Sequence, residues 1–188
     1  MAKTKQPTQI DQLKITLQHI KPPIWRRVQV KDCTLAKLHA IIQTVMGWDD
    51  YHLHTFKIGG EQYGDPAQWQ DDFGGELEVS NEGKVKLSDL VAQGVKRFGY
   101  TYDMGDTWEH LTQIEKVLEA ESGVRYPRCV AGKRACPPED CGGPWGYGDF
   151  LDAIQNPEHE RHEELLEWVG GEFDPEKFDM EAVNEELR

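Results

Sequence analysis

Apolar and polar residues alternate along the start of the chain with the period of a β-strand that has one buried face. The first alternating run covers residues 13–21, and a second run covers residues 24–30. Pro22 and Pro23 separate the two runs, and proline cannot donate a sheet hydrogen bond. The pattern therefore predicts two strands joined at a corner.

A helical pattern follows the second strand. Thr34 is a favoured N-cap residue, and Gly47 is the residue type favoured just past a helix C-terminus. The apolar residues between them recur at helical spacing: Leu35, Leu38, Ile41, Ile42 and Val45. We predict a helix that buries this stripe in the core.

Two hairpins are predicted in the middle of the chain. Residues 51–58 read as a strand, and Gly59 and Gly60 supply a two-residue turn before residues 61–63 return. Residues 98–102 alternate again, and a turn leads them into a strand over residues 108–118.

The segment between these hairpins is rich in turn residues. Residues 61–83 read as a loop that contains one short strand at residues 76–79. Ser88 is the predicted cap of a short helix that ends at Gln93.

The last third of the chain is predicted to be irregular at first and then helical. Residues 122–148 hold six glycines and four prolines, so we expect irregular backbone there. Helices are predicted at residues 149–155 and 158–169, and Asp174-Pro175 reads as the start of a last helical segment.

Strands joined by short turns, one early helix and a helical C-terminal segment indicate an α+β fold with a mostly antiparallel sheet. We expect a single domain over residues 10–188, preceded by a disordered tail at residues 1–9, which is polar and contains Pro7.

Charge is distributed unevenly along the 188 residues, whose net charge is −13. Residues 1–60 carry nine basic and four acidic side chains, whereas residues 139–188 carry three basic and sixteen acidic ones. This balance excludes a general nucleic-acid coat and makes direct nucleic-acid binding an unfavourable interpretation. An acidic surface that faces a protein partner and a set of ordinary solvated helices both remain open.

No apolar run approaches the length of a membrane-spanning helix, and residues 1–11 lack the hydrophobic segment of a signal peptide. We therefore expect a cytoplasmic protein that does not enter a membrane.

Three cysteines fall close together in the irregular segment, at Cys129, Cys136 and Cys141. Thiolates could clamp such a loop around zinc, with His110 as the fourth ligand. The spacing lacks the two-residue separation of common zinc sites, so small buried thiols are the competing interpretation.

The densest polar cluster surrounds the second hairpin turn. Asp103, Asp106 and His110 offer an acid and a base, and Tyr102 and Trp108 offer aromatic surface beside them. Aspartates at both ends of a tight turn also cap backbone groups, which is the alternative explanation.

Three weaker signals complete the candidate chemistry. His52 and His54 share a strand face and could contribute to a two-histidine metal site. Arg26 could join an exposed binding surface beside Trp25. The glycines of residues 142–148 could approach a phosphate, although no strand or P-loop lysine accompanies them.

Four motifs carry a family resemblance, and they are listed by residue range: 22–27 (PPIWRR), 47–56, 102–110 (YDMGDTWEH) and 137–140 (PPED). Together they resemble the root-inducing-plasmid ORF-three-like family from about Ile10 to Val183. The resemblance implies a compact α+β domain and a link to mobile genetic elements, with no established activity, cofactor or catalytic residue. It also implies a variable residue after the PPED motif, which argues against Cys141 as a zinc ligand.

The sequence therefore leaves three functional hypotheses. The first is a non-enzymatic interaction module with an exposed groove near Arg26, Asp103, Asp106 and Trp108 for a protein or peptide. The second is a metal-dependent or acid-base enzyme centred on His110 and nearby carboxylates. The third is a regulator of DNA transactions that acts through a partner.

Overall fold

The computed structural model describes residues 8–73 and 79–188, except for the side chains of residues 71–73. Within these residues, eight strands form one sheet in the order β5-β4-β3-β6-β7-β1-β2-β8. They are β1 (Gln9–Leu17), β2 (Trp25–Lys31), β3 (His54–Ile58), β4 (Glu61–Gly64), β5 (Ser80–Asn81), β6 (Arg97–Tyr102), β7 (Trp108–Glu119) and β8 (Arg128–Lys133). All pairings are antiparallel except that of β4 with β5, so the predicted α+β fold with a mostly antiparallel sheet is confirmed.

Six α-helices accompany the sheet in the described residues. They are α1 (Leu35–Met46), α2 (Pro66–Phe73), α3 (Leu87–Ala92), α4 (Gly143–Gln155), α5 (His162–Trp168) and α6 (Met180–Glu186), and a single 3₁₀ turn covers Glu82–Lys84. No helix among the described residues is long and apolar enough to cross a membrane.

Helix α1 lies where the sequence predicts it and covers one face of the sheet. The Thr34 side chain accepts a hydrogen bond from the Lys37 N–H, and Gly47 ends the helix with a φ of 88°. The five residues of the predicted stripe are all buried. Arg26 of β2 and Tyr100 of β6 both bond to α1, so the helix ties the two halves of the sheet together.

The first two strands and both hairpins form as predicted, with shifted ends. β1 begins at Gln9 instead of residue 13, so the predicted disordered tail is wrong at Gln9. β1 stops at Leu17 instead of residue 21, and β3 begins at His54 instead of residue 51. The predicted strand over 76–79 falls largely on residues outside the described part of the chain, as do residues 1–7 of the predicted tail. Pro66–Phe73, predicted as loop, forms α2.

The prediction of irregular backbone over residues 122–148 is wrong in two places. β8 pairs with β2 through a register shift, and this bulge hides the alternation that would have revealed the strand. Helix α4 begins at Gly143, six residues before its predicted start. The chain enters it through Gly142 and Gly143, whose positive φ angles of 90° and 70° favour glycine.

The C-terminal helices are shorter than predicted. α5 covers seven residues and α6 begins after Asp179, whose side chain caps it. Asp174 caps only a local turn, through the Glu176 N–H.

Candidate functional site

The aromatic part of the predicted binding cluster lies inside the core. Tyr102 and Trp108 are fully buried, and the Trp48 ring stacks on Tyr102 with a centroid separation of 5.0 Å. Trp48 also lies 6.0 Å from Trp108 and donates its Nε1–H to the Pro137 carbonyl. The predicted exposed groove lined by Trp108 is therefore wrong, because Trp108 is buried and packs against Trp48.

Arg26 is also buried, and its guanidinium serves backbone carbonyls. Its Nε donates to Val45 O at 2.7 Å, and its Nη1 donates to Trp25 O and Lys133 O. The Phe178 ring covers the guanidinium at 4.0 Å. Residues of α1, β8 and the C-terminal segment surround the Arg26 guanidinium and bury it, so its predicted place in an exposed groove is wrong.

His110 sits between aromatic rings with no polar partner. Its ring lies 5.3 Å from those of Trp48 and Tyr100, and neither ring nitrogen makes a hydrogen bond within the described residues. Burial lowers the pKa of His110 to about 4, so its imidazole is neutral at physiological pH. An acid-base centre at His110 lacks support, since no described carboxylate contacts this ring.

This burial predicts an acid-sensitive fold. The folded pKa of about 4 lies below the ordinary value of 6.5, so the unfolded chain binds a proton first as the pH falls. Stability is therefore complete above pH 6.5 and decreases as the pH falls toward 4. Between pH 7 and pH 5 we expect a loss of about 2 kcal/mol from this group.

Urea unfolding at the two pH values measures the loss, with His110→Leu as the comparison. Burial also lowers the pKa of His39, which acts in the same direction and is present in both proteins. The wild-type loss should exceed that of the variant by about 2 kcal/mol. Equal losses of stability in the two proteins would contradict the claim that His110 causes the acid sensitivity.

The structure does not bring the cysteines and His110 together as a zinc site. No set of close ligand atoms among the described residues contains Cys129, Cys136, Cys141 or His110. Burial raises the pKa of Cys136 and of Cys141 to about 12, and raises that of Cys129, so the thiols stay protonated. All four cysteines are free. Cys129 is buried in β8, whereas Cys136 and Cys141 are half-buried.

The turn between β6 and β7 is built by its aspartates. Asp103 has a φ of 58°, and its Oδ1 accepts the N–H groups of Gly105 and Asp106. Asp106 Oδ2 accepts the Gly142 N–H at 3.1 Å, at the start of α4. A side-chain carboxylate thus occupies the position that a phosphate would take at this glycine-rich helix start.

The loop before α4 is fixed against this turn. Burial raises the pKa of Tyr102, whose protonated hydroxyl donates to Glu139 Oε1 at 2.8 Å. The same carboxylate oxygen accepts the Asp49 N–H, while the Tyr102 hydroxyl accepts the Tyr51 N–H. These bonds hold Asp140, the next residue, near the turn.

His52, Asp103 and Asp140 meet at this junction. His52 Nε2 lies 3.1 Å from Asp140 Oδ1 and 3.7 Å from Asp103 Oδ2. The three ligand atoms all lie within 4.8 Å of one another, which is compatible with a shared metal ion. The Asp103 side chain is buried, that of His52 is partly exposed, and that of Asp140 is 69% exposed, so the cluster opens to solvent.

His54 belongs to a different, buried network. Its ring stacks on that of His39 with a centroid separation of 3.4 Å, and its Nε2 lies 2.7 Å from Glu82 Oε2. His39 is bonded to both Tyr100 and Asp50. The predicted pairing of His52 with His54 in one metal site is therefore wrong, because β3 begins only at His54 and His52 lies in the preceding loop.

A groove of about 790 Å³ opens beside Asp140, between α4 and α5. Its lining includes the exposed carboxylates of Asp149 and Asp152. Glu164 also lines it but is neutralised by Arg161, with an Nη2–Oε1 distance of 2.7 Å. The groove therefore presents an excess of negative charge.

The apolar lining of the groove comes from both helices. Phe150 of α4 contacts the edge of Trp168 of α5, with a centroid separation of 5.8 Å, and Leu165 lies alongside. Trp168 is 48% exposed, so part of a large aromatic surface faces solvent.

Comparison with known proteins defines the relatives of this chain. Residues 9–182 match the family described as "Plasmid pRiA4b ORF-3-like protein". The chain belongs to this family. The "Uncharacterized protein y4hQ" of Sinorhizobium fredii (strain NBRC 101917 / NGR234) is 40% identical over 175 residues, which are 92% of this chain and 84% of that protein.

A solved structure shares the fold of this plasmid pRiA4b ORF-3-like chain. The crystal structure of a protein of unknown function, MM3350 from Methanosarcina mazei Go1, matches with a TM-score of 0.82 and 40% identity. The match covers 94% of this chain and 98% of that one.

Sequence reasoning on this family member found Asp103 but missed Asp140 and the groove. The signal for Asp140 was its place in the PPED motif, directly after Glu139. No local pattern could show that this motif folds back onto the turn at Asp103, because the contact spans 37 residues from Tyr102 to Glu139.

Proposed function

We propose that the protein is an interaction module whose groove between α4 and α5 binds a cationic, partly apolar segment of a partner protein. The observation that carries the proposal is the combination of unpaired carboxylates and exposed aromatic surface in one groove. Neither Asp149 nor Asp152 forms an ion pair with any described residue, so both can attract lysine or arginine.

The groove suits a peptide better than a rigid polar molecule. Phe150, Leu165 and Trp168 offer apolar surface for one or two side chains, and the exposed Trp168 ring can also accept a cation over its face. An amphipathic helix that carries leucine and lysine on one face combines both kinds of contact.

The surrounding charge supports the same occupant. Residues 139–188 carry thirteen more acidic than basic side chains, so the whole C-terminal segment attracts a basic partner and raises its association rate. We propose a protein encoded with a mobile genetic element as the source of such a partner, in place of direct DNA contact.

The charge also predicts that duplex DNA does not bind at physiological salt. Non-specific affinity comes from basic side chains that displace counterions, and the net charge of −13 opposes it. A fluorescence-anisotropy titration with random duplex at two salt concentrations checks this. Submicromolar binding that persists at physiological salt would show that the DNA-regulator hypothesis deserves priority.

The test of the proposed function uses a labelled amphipathic peptide of leucine and lysine at helical spacing. We expect saturable binding in fluorescence anisotropy, weakened about tenfold by Asp149→Asn combined with Asp152→Asn. A twin peptide with glutamate in place of lysine should not bind.

A matched control separates the effect of the groove carboxylates from that of the overall negative charge. Glu181→Gln combined with Glu185→Gln removes the same charge from exposed positions of α6, outside the groove. This variant should change the affinity less than twofold. Equal weakening by both double variants would mean that only the overall charge matters and would contradict the proposal.

A further inference from the structure

Three separate segments of the chain place metal-binding atoms at one point. His52 comes from the loop before β3, Asp103 follows β6, and Asp140 lies in the loop before α4. His52 Nε2 lies 3.7 Å from Asp103 Oδ2 and 3.1 Å from Asp140 Oδ1. Such convergence needs the complete tertiary fold.

The histidine nitrogen at this point has no hydrogen bond within the described residues. Nε2 of His52 is buried, and its 3.1 Å approach to Asp140 has ion-pair distance but not hydrogen-bond geometry. A buried polar atom without a hydrogen-bond partner is unfavourable, and a bound cation would give this nitrogen a partner.

The Asp103 carboxylate, which faces His52, is held in place by backbone hydrogen bonds. Asp103 is 7% exposed, and the N–H groups of Gly105 and Asp106 occupy its Oδ1. Oδ2, which makes no hydrogen bond to a described residue, faces His52 at 3.7 Å. Such support of a ligand by a second layer of hydrogen bonds is typical of metal centres.

We propose that His52, Asp103 and Asp140 bind one divalent transition-metal ion, of the kind of Zn²⁺ or Mn²⁺. Bonds of about 2.0–2.2 Å to nitrogen and oxygen imply ligand separations of about 3.0–3.5 Å around the ion. The observed 3.1 and 3.7 Å are close to this range, so small side-chain movements complete the site. One imidazole and two carboxylates suit these metals better than Ca²⁺ or Cu⁺.

Three protein ligands leave coordination positions open on the solvent side. The site therefore accepts water or a donor atom from another molecule. The other candidate set, His39, Asp50 and His54, is less suitable because both nitrogens of His39 already have partners.

Isothermal titration of metal-stripped protein with ZnCl₂ and with MnCl₂ tests the proposal. We expect one ion per chain with at least one of the two metals, and at least tenfold weaker binding in His52→Ala and in Asp140→Asn. Circular dichroism confirms that each variant is folded, and Asp140 is exposed enough that its amide variant should fold normally.

Mn²⁺ also provides a spectroscopic readout. Its unpaired electrons should broaden the NMR signals of His52 and Gly105 before that of Cys129, which lies in β8, four strands away from β6 in the sheet. Absence of binding, or binding that persists unchanged in both variants, would show that His52 forms only an ion pair with the aspartates. Loss of binding in Cys136→Ser instead would move the site to the cysteines.

The inference does not depend on the proposed function, although Asp140 borders the groove. Asp149→Asn with Asp152→Asn should leave metal affinity unchanged, and His52→Ala should leave peptide affinity unchanged. The two proposals can therefore fail separately.

Discussion

Replacing Gly143 with alanine is expected to destabilise the protein by about 3 kcal/mol or more, which would be among the largest effects of any methyl group added to this chain. Gly143 has a φ of 70°, and a Cβ atom there would lie 2.4 Å from the backbone oxygen of Asp106. The strained φ and the overlap each cost about 1–3 kcal/mol. The three nearest atoms all belong to the Asp106 backbone, so no flexible side chain can move away to relieve the overlap.

Gly148→Ala is the matched control for this variant. Gly148 lies in the same helix at an exposed position, and its added Cβ would meet nothing within 4 Å. Alanine should stabilise the helix there by about 0.5–1 kcal/mol. Urea unfolding of both variants measures the difference. A loss below ~1 kcal/mol for Gly143→Ala would mean that the loop and the turn do not pack as described.

The second large effect is expected from Ile41→Ala, with a loss of about 2–5 kcal/mol. Ile41 is 3% exposed and belongs to the buried stripe of α1. Shortening it removes buried methyl and methylene groups and leaves a cavity that a packed core fills only partly. Chemical denaturation at neutral pH provides the free energy of unfolding.

Lys37→Ala controls for the change in helix propensity. Lys37 is exposed on the same helix, and only its backbone N–H bonds to the Thr34 cap. Its substitution should alter stability by less than ~0.5 kcal/mol. If Ile41→Ala were equally mild, the apolar stripe would not be core.

Elements with a strong local signal could be predicted from the sequence. Helix α1 has an N-cap, a regular apolar stripe and a terminal glycine, and all three signals indicate the same start and end of the helix. β8 and the first turn of α4 lack such agreement, because a register shift and two left-handed glycines replace the regular pattern. Tertiary contacts decide their structure.

The residues of the candidate site were likewise only partly predictable from the sequence. The sequence marks Arg26 and Trp108 as candidates for binding because arginine and tryptophan often lie on interaction surfaces. Only the fold shows that backbone carbonyls surround Arg26 and that Trp48 packs against Trp108. Conversely, Asp140 becomes a candidate metal ligand only because the fold places it beside His52 and Asp103, which are far from it in sequence.

An NMR titration with the leucine-lysine peptide shows whether the groove between α4 and α5 is the binding site, since each tryptophan indole N–H signal reports on its own part of the surface. Trp168 lines the groove, whereas Trp145 is 90% exposed on α4 but lies outside the groove lining. We expect the signals of Trp168, Asp149 and Asp152 to shift with peptide concentration and that of Trp145 to stay in place. Shifts at Trp145 without a shift at Trp168 would contradict it.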